Sequence, residues 1–134
     1  MTQTARGTFT VDISARPHDP DTAGLGQMQL HKTWAGDIEA DGHGLMLSGG
    51  DAAAGTAGYV AMEVVQGSLG ERTGSFALQQ FGTMHAGEPH LVYEVVPGSG
   101  TGDLAGISGT VELTIEEGAH HYALHYDISP TQEA

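Results

Sequence analysis

Glycine punctuates this chain so densely that it must be a chain of many turns: 21 of its 134 residues are Gly, about double the usual ~7%. Between these breaks apolar residues recur with a period of two. Phe9, Val11 and Ile13 alternate with Thr8, Thr10 and Asp12, the spacing of a strand with one buried face. No stretch carries a helical stripe of comparable clarity, so the elements to look for are strands.

Eight strands are predicted. The first surrounds Phe9–Ile13. A run of breakers over 15–26, with Pro17, Pro20, Gly24, Gly26, Asp19 and Asp21, reads as a surface loop. Further strands follow at 27–34, 38–47, 56–67, 73–85, 89–96, 111–115 and 120–128. Gly42 and Gly44 thin the third and suggest a bulge or tight curvature. Between 98 and 109 lies a Gly-rich connection in which Asp103, Leu104 and Ala105 are expected to form one short helical turn, capped by Asp103, with Leu104 plugging one end of the fold. Connections of hairpin length require mostly antiparallel pairing, because a parallel crossover needs a dozen or more residues. Glycines within strands and an even strand count favour closure into a barrel over a jelly roll. The whole chain, 1–134, reads as one all-β domain.

The charge balance excludes several partners. Seventeen acids face four bases, a formal charge of −13, whereas nucleic acids and anionic membranes need clustered Lys and Arg. Without cysteine there is no disulfide framework, thiolate metal site or Cys nucleophile. The first nine residues lack a basic and then apolar leader, and no apolar run approaches the ~20 residues of a membrane span. A soluble cytoplasmic protein is expected.

Strand parity sorts the candidates for chemistry, because residues two apart share a face. Lys32 lies between Leu30 and Trp34 on a side of apolar character. In the fourth strand Tyr59, Ala61, Glu63 and Val65 share one face and Val60, Met62 and Val64 the other, and the pattern alone leaves open which points inward. Gln80 falls on the face of Phe76 and Leu78. The eight His residues do not form a metal site by spacing: His121 and His125, four apart on a strand, stand ~13 Å from each other. His85 and His90 flank a turn and can face each other across a hairpin, without a third ligand. The string Ser99-Gly100-Thr101-Gly102 lacks the Lys and long helix of a phosphate loop, and Ser48, Ser75 and Ser108 lack a nucleophile elbow.

Three segments carry a family resemblance: Gly67-Ser-Leu-Gly-Glu-Arg-Thr-Gly-Ser-Phe76, Val96-Pro-Gly-Ser-Gly-Thr-Gly-Asp-Leu-Ala-Gly106 and Leu124-His-Tyr-Asp127. With Gly7-Thr8-Phe9 they span nearly the whole chain, which resembles the bacterial family catalogued as domain of unknown function 3224. The resemblance implies a small barrel like that of allene oxide cyclase, a fold shared with dirigent-type proteins and some natural-product cyclases, and implies no settled activity. It favours the Glu63 face as the inner one. Two positions depart from the family pattern: Gln80 stands where a His is expected, which removes a proton carrier there, and Tyr93 stands where many members have Trp.

The reading that follows is an eight-stranded, mostly antiparallel closed barrel that binds a small, largely apolar or aromatic molecule in its lumen and catalyses cofactor-free isomerisation or cyclisation. Glu63 is the expected acid/base and Lys32 its charged partner. Trp34, Tyr59, Phe76, Gln80, Tyr93, Tyr122 and Tyr126 are the expected substrate-binding residues, with Phe9 shaping the pocket and no metal or organic cofactor. A plain buried ion pair is the structural alternative for Lys32 and Glu63. A carrier or sensor using the same cavity, and an assembling protein with a filled lumen, are the alternatives for the whole. A homodimer is expected to bury outer apolar faces such as Val60, Met62 and Val64.

Overall fold

The computed structural model describes residues 2–17, 20–22 and 24–129. Its strands are β1 (Gln3–Ala15), β2 (Gly26–Gly36), β3 (Ile38–Asp51), β4 (Thr56–Leu69), β5 (Arg72–His85), β6 (Glu88–Val95), β7 (Thr101–Gly102), β8 (Ile107–Glu116) and β9 (Ala119–Ile128). All pair antiparallel, in the order β4-β3-β2-β1-β9-β8-β6-β5, and β4 pairs back onto β5 to close an eight-stranded barrel. The two-residue β7 is an addition on the edge of β5. Each predicted strand is present, and several run longer than alternation alone reveals.

Tight turns set the pairing. Ala86 (φ 51°) and Gly87 (φ 82°), like Glu117 (φ 52°) and Gly118 (φ 81°), occupy the left-handed region at both central positions of two-residue hairpins, the geometry that matches strand twist. Gly70 and Glu71 alone join β4 to β5, which pair without interruption from Leu69↔Arg72 to Ala57↔Met84. The described part of the 15–26 loop contains a 3-10 turn at Pro20–Thr22; Asp19 lies outside the described residues.

Two local expectations are corrected. β3 has no bulge at Gly42 or Gly44: both pair in unbroken register with β2 and β4. Their role is close approach, since a Cβ on Gly44 would lie 2.2 Å from the Met62 carbonyl oxygen. The segment 103–106 is a succession of turns, and the second 3-10 turn falls instead at Ala52–Ala54, capped by Asp51. Asp103 caps no helix: its carboxylate accepts from the Thr73 amide at 3.1 Å. The Gly-rich connection as a whole is stitched to β5, whose first half lies beyond the reach of β6. Ser99 Oγ accepts from the Ala77 amide at 2.9 Å and donates to the Val96 carbonyl at 2.7 Å, while Thr101 Oγ1 accepts from the Ser75 amide at 3.1 Å. The string therefore supplies the backbone partners that a strand edge would otherwise lack.

Inward-facing residues alternate along every long strand. Phe9, Trp34, Ile38, Val65, Phe76, Leu78, Tyr93, Leu104 and Leu124 form one continuous buried core, and Leu104, 1% exposed, closes it from the connection. Among the described residues no helix is long and apolar enough to cross a membrane.

Candidate functional site

Three strands bring three polar side chains to one point inside this core. Lys32 on β2 and Glu63 on β4 are the two buried charged residues among the described residues, 4% and 5% exposed, on the face that also carries Leu30, Trp34, Ala61 and Val65. Tyr93 enters from β6. Lys32 Nζ donates to Glu63 Oε1 at 2.6 Å and to the Tyr93 hydroxyl at 2.9 Å, and that hydroxyl donates to the same Glu63 Oε1 at 2.9 Å. The ring of bonds closes on a single carboxylate oxygen.

Aromatic faces complete the ammonium's surroundings. Lys32 Nζ stands 4.7 Å from the centroid of Phe9, 5.2 Å from that of Tyr93 and 5.7 Å from that of Trp34, within the range where ring quadrupoles attract a cation. Burial pushes the Tyr93 phenol well above its ordinary pKa, and the Glu63 charge and the hydrogen bond to it add to the rise. Tyr93 is thus a neutral proton donor held between an ammonium and a carboxylate.

Two buried polar atoms at this site have no hydrogen-bond partner: Glu63 Oε2 and the indole nitrogen of Trp34. Both face Gly42. A Cβ there would lie 2.4 Å from Oε2 and 3.1 Å from Trp34 Nε1, so glycine is what lets the carboxylate rest against β3.

The remaining expected site residues are spread around this triad. Gln80 pairs across the ladder with Tyr93 and with Ala61 and is partly buried. Tyr59, one rung away, packs its ring over Gly82, and burial raises its pKa. Phe76 is fully enclosed in the hydrophobic core. Tyr122 stacks edge-on to Trp34 at 4.9 Å, but its hydroxyl accepts from the Ile38 amide at 2.9 Å and donates to the Ala35 carbonyl at 3.0 Å, latching the turn between β2 and β3. The Tyr126 hydroxyl donates to Gln3 at 3.3 Å. Both tyrosines are engaged in holding the barrel.

His90 pairs with Thr83 and His85 with Glu88, so the two histidines do not face each other. Among the described residues no group of three or more metal-ligating side chains forms. Sequence reading missed the stacked His31 and His43, 4.6 Å apart on the outer face, which a cross-strand register alone could have paired.

A hollow of about 660 Å³ is lined chiefly by outward-facing residues of β3 to β6, among them Leu45, Leu47, Val60, Met62 and Phe81, and reaches Ala61 and Gln80 of the Glu63 face as well. Val60, Met62 and Val64 are each 53% exposed.

The model of the family described as Protein of unknown function (DUF3224) matches residues 5–126. The chain belongs to this family. A DUF3224 protein of unknown function from Shewanella oneidensis MR-1, solved as a crystal structure, is 42% identical, superposes with a TM-score of 0.90, and the match covers 98% of this chain and 100% of that one. No curated protein matches the chain. The fold of this chain is thus shared with a solved member of the DUF3224 family.

Proposed function

We propose that this DUF3224 barrel binds a small, largely apolar organic molecule and catalyses a cofactor-free proton transfer of isomerase or cyclase type, with Glu63 as the acid/base. The observation that carries the reading is the asymmetry of the Glu63 carboxylate: Oε1 is clamped by two donors, while Oε2 is buried and unpartnered. Such a carboxylate has one oxygen fixed in place and one free to take a proton and return it. Lys32 supplies the countercharge, Tyr93 fixes the orientation, and Phe9 and Trp34 keep bulk water from the ion pair, so positioning and one proton relay suffice for a double-bond shift or ring closure. Native mass spectrometry of freshly purified protein identifies a retained molecule; Glu63→Gln is expected to keep its binding and to lower turnover by about 10²–10⁴-fold. Equal turnover in both proteins rules the assignment out.

The outer wall supports a homodimer as part of the same proposal. At a net charge of −13 two copies repel over most of their surface, whereas this wall is apolar and the charged residues lining its hollow, Arg16 and Glu94, are of opposite sign. The hollow also favours a second reading, a non-catalytic carrier, because about 660 Å³ falls within the ~300–1,000 Å³ of small-molecule sites. Sedimentation of the wild type and of Met62→Glu separates them. A dimer that the substitution dissociates supports pairing; a monomer that loses a retained apolar molecule on substitution supports the carrier.

A further inference from the structure

Trp34 Nε1 and Glu63 Oε2 are a pure donor and a carboxylate acceptor, in side chains 1% and 5% exposed, and neither has a partner. Orphaned polar atoms are rare in well-packed interiors, and these two share one location. Both lie against the Cα of Gly42, at 3.1 and 2.4 Å from the point where its Cβ would be, so their separation cannot exceed the two distances combined, about 5.5 Å. No hydrogen bond joins them. A separation within that bound can be spanned by a single oxygen that sits ~2.8 Å from each neighbour.

The chemistry of the pair selects the occupant. The indole N–H can only donate and an ionised carboxylate only accept. The bridging group must therefore accept on one side and donate on the other. A carbonyl or ether oxygen cannot donate, and an ammonium cannot accept; a hydroxyl oxygen does both.

We infer that Trp34, Glu63 and the bare backbone of Gly42 form a binding site for one hydroxyl oxygen, that of water or of an alcohol, phenol or enol ligand. The inference rests on the proposed acid/base role of Glu63 and narrows it: the ligand's O–H points its hydrogen at Oε2, and Trp34 is the residue that recognises its oxygen. A substrate proton leaving oxygen has Oε2 as its acceptor, and the developing oxyanion keeps the indole donor. Trp34 is then a specificity-determining residue, and analogues without the hydroxyl leave both atoms unpaired.

Trp34 is the only tryptophan in the chain, so protein labelled with ¹⁵N gives one indole N–H resonance that reports on this site alone. In the unliganded protein that resonance is expected to show a rotating-frame Overhauser peak to water. Phenol is expected to shift it and remove the water peak at concentrations roughly tenfold or more below those at which toluene has any effect, the discrimination a buried donor–acceptor pair imposes on an analogue that leaves it unpaired. Gly42→Ala, whose methyl intrudes between the two atoms, is expected to abolish the peak. A water peak that phenol does not displace also supports the oxygen site, with water as its occupant, and counts only against the substrate reading. An indole proton with no water contact and no response to phenol overturns the inference, whatever Glu63→Gln does to turnover.

Discussion

Around Glu63 the two faces of β4 are inverted with respect to hydrophobicity. Val60, Met62 and Val64 point into solvent, each 53% exposed, while Glu63 on the opposite face is 5% exposed. Three apolar side chains thus forgo much of the ~1.5–3 kcal/mol each would gain by full burial, and a carboxylate bears a desolvation cost of several kcal/mol that only a well-placed partner offsets. A slip of one residue would exchange the faces. What prevents it is the rest of the barrel: the two-residue turn at Gly70 and Glu71 sets β5, where Phe76 and Leu78 are buried on the Glu63 side, and Gly42 and Gly44 leave room for Glu63 on β3 and for no larger neighbour. Facing is therefore decided by the closed ladder, and at Glu63 the local composition is overruled. Inversions of this kind are expected where a site and an interface compete with the core for residues.

The inner half of the comparison breaks most completely when one charge is removed. Glu63→Leu or Lys32→Met leaves an uncompensated charge in the core and is expected to cost about 3–5 kcal/mol, read from urea denaturation. The double variant Lys32→Met/Glu63→Leu is expected to recover most of that loss, because two apolar side chains of similar volume suit the shell of Phe9, Trp34 and Val65. Additive losses in this cycle would mean that the pair is not coupled as its 2.6 Å contact implies.

Glycine placement sharpens the contrast next. Gly42→Ala puts a methyl 2.4 Å from Glu63 Oε2 and is expected to lower stability by about 1–3 kcal/mol, as overpacking does. Gly49→Ala on the same strand meets only a Leu25 methyl at 3.5 Å and is expected to change the urea midpoint little. Equal effects at both positions would show that curvature, not contact with the carboxylate, is what Gly42 provides.

How much of this was legible in the sequence follows from which link each feature depends on. Alternation and glycine clusters exposed all eight barrel strands, since both are local. Lys32 declared itself by sitting between Leu30 and Trp34, and Glu63 followed once the resemblance chose its face. Parity, however, gives a face and not a height along the barrel. Tyr122 and Tyr126 were expected to bind substrate with Tyr93, and only the three-dimensional structure shows that their hydroxyls end at the Ala35 carbonyl and at Gln3. The convergence of Lys32, Glu63 and Tyr93, separated by 31 and 30 residues, depends on closure, which no local pattern encodes. Gly42 was visible as an interruption, but the carboxylate it accommodates was not.

Tyr93 gives a smaller effect with a characteristic pH signature. Its phenol has a pKa well above the ordinary 10.0 in the folded barrel, so above pH 10 the unfolded chain holds fewer protons than the folded one. Stability from this group is therefore full below pH 10 and falls as pH rises beyond it. Tyr93→Phe is expected to cost about 1–2 kcal/mol at neutral pH through the lost buried donor and to flatten the decline above pH 10. Tyr59 and Tyr122, also raised by burial, leave a residual slope. An unchanged alkaline slope would mean that Tyr93 does not meet Glu63 as a neutral donor.

The outer half of the comparison yields the smallest change in fold stability and the clearest change in assembly. Met62→Glu adds a charge to a side chain already 53% exposed, so its effect on a monomer is expected to stay within about 0.5 kcal/mol. At a dimer interface the same carboxylate would be desolvated on both copies, close to the partner's own, and added to a chain already at −13. At concentrations low enough for both proteins to be monomeric the urea midpoint is expected to barely move, while at higher concentration the sedimentation coefficient is expected to fall from dimer to monomer on substitution. If instead the midpoint falls by as much as with Gly42→Ala at concentrations where both proteins are monomeric, Met62 contributes to the packing of the barrel itself, and its outer position is not the source of an assembly effect.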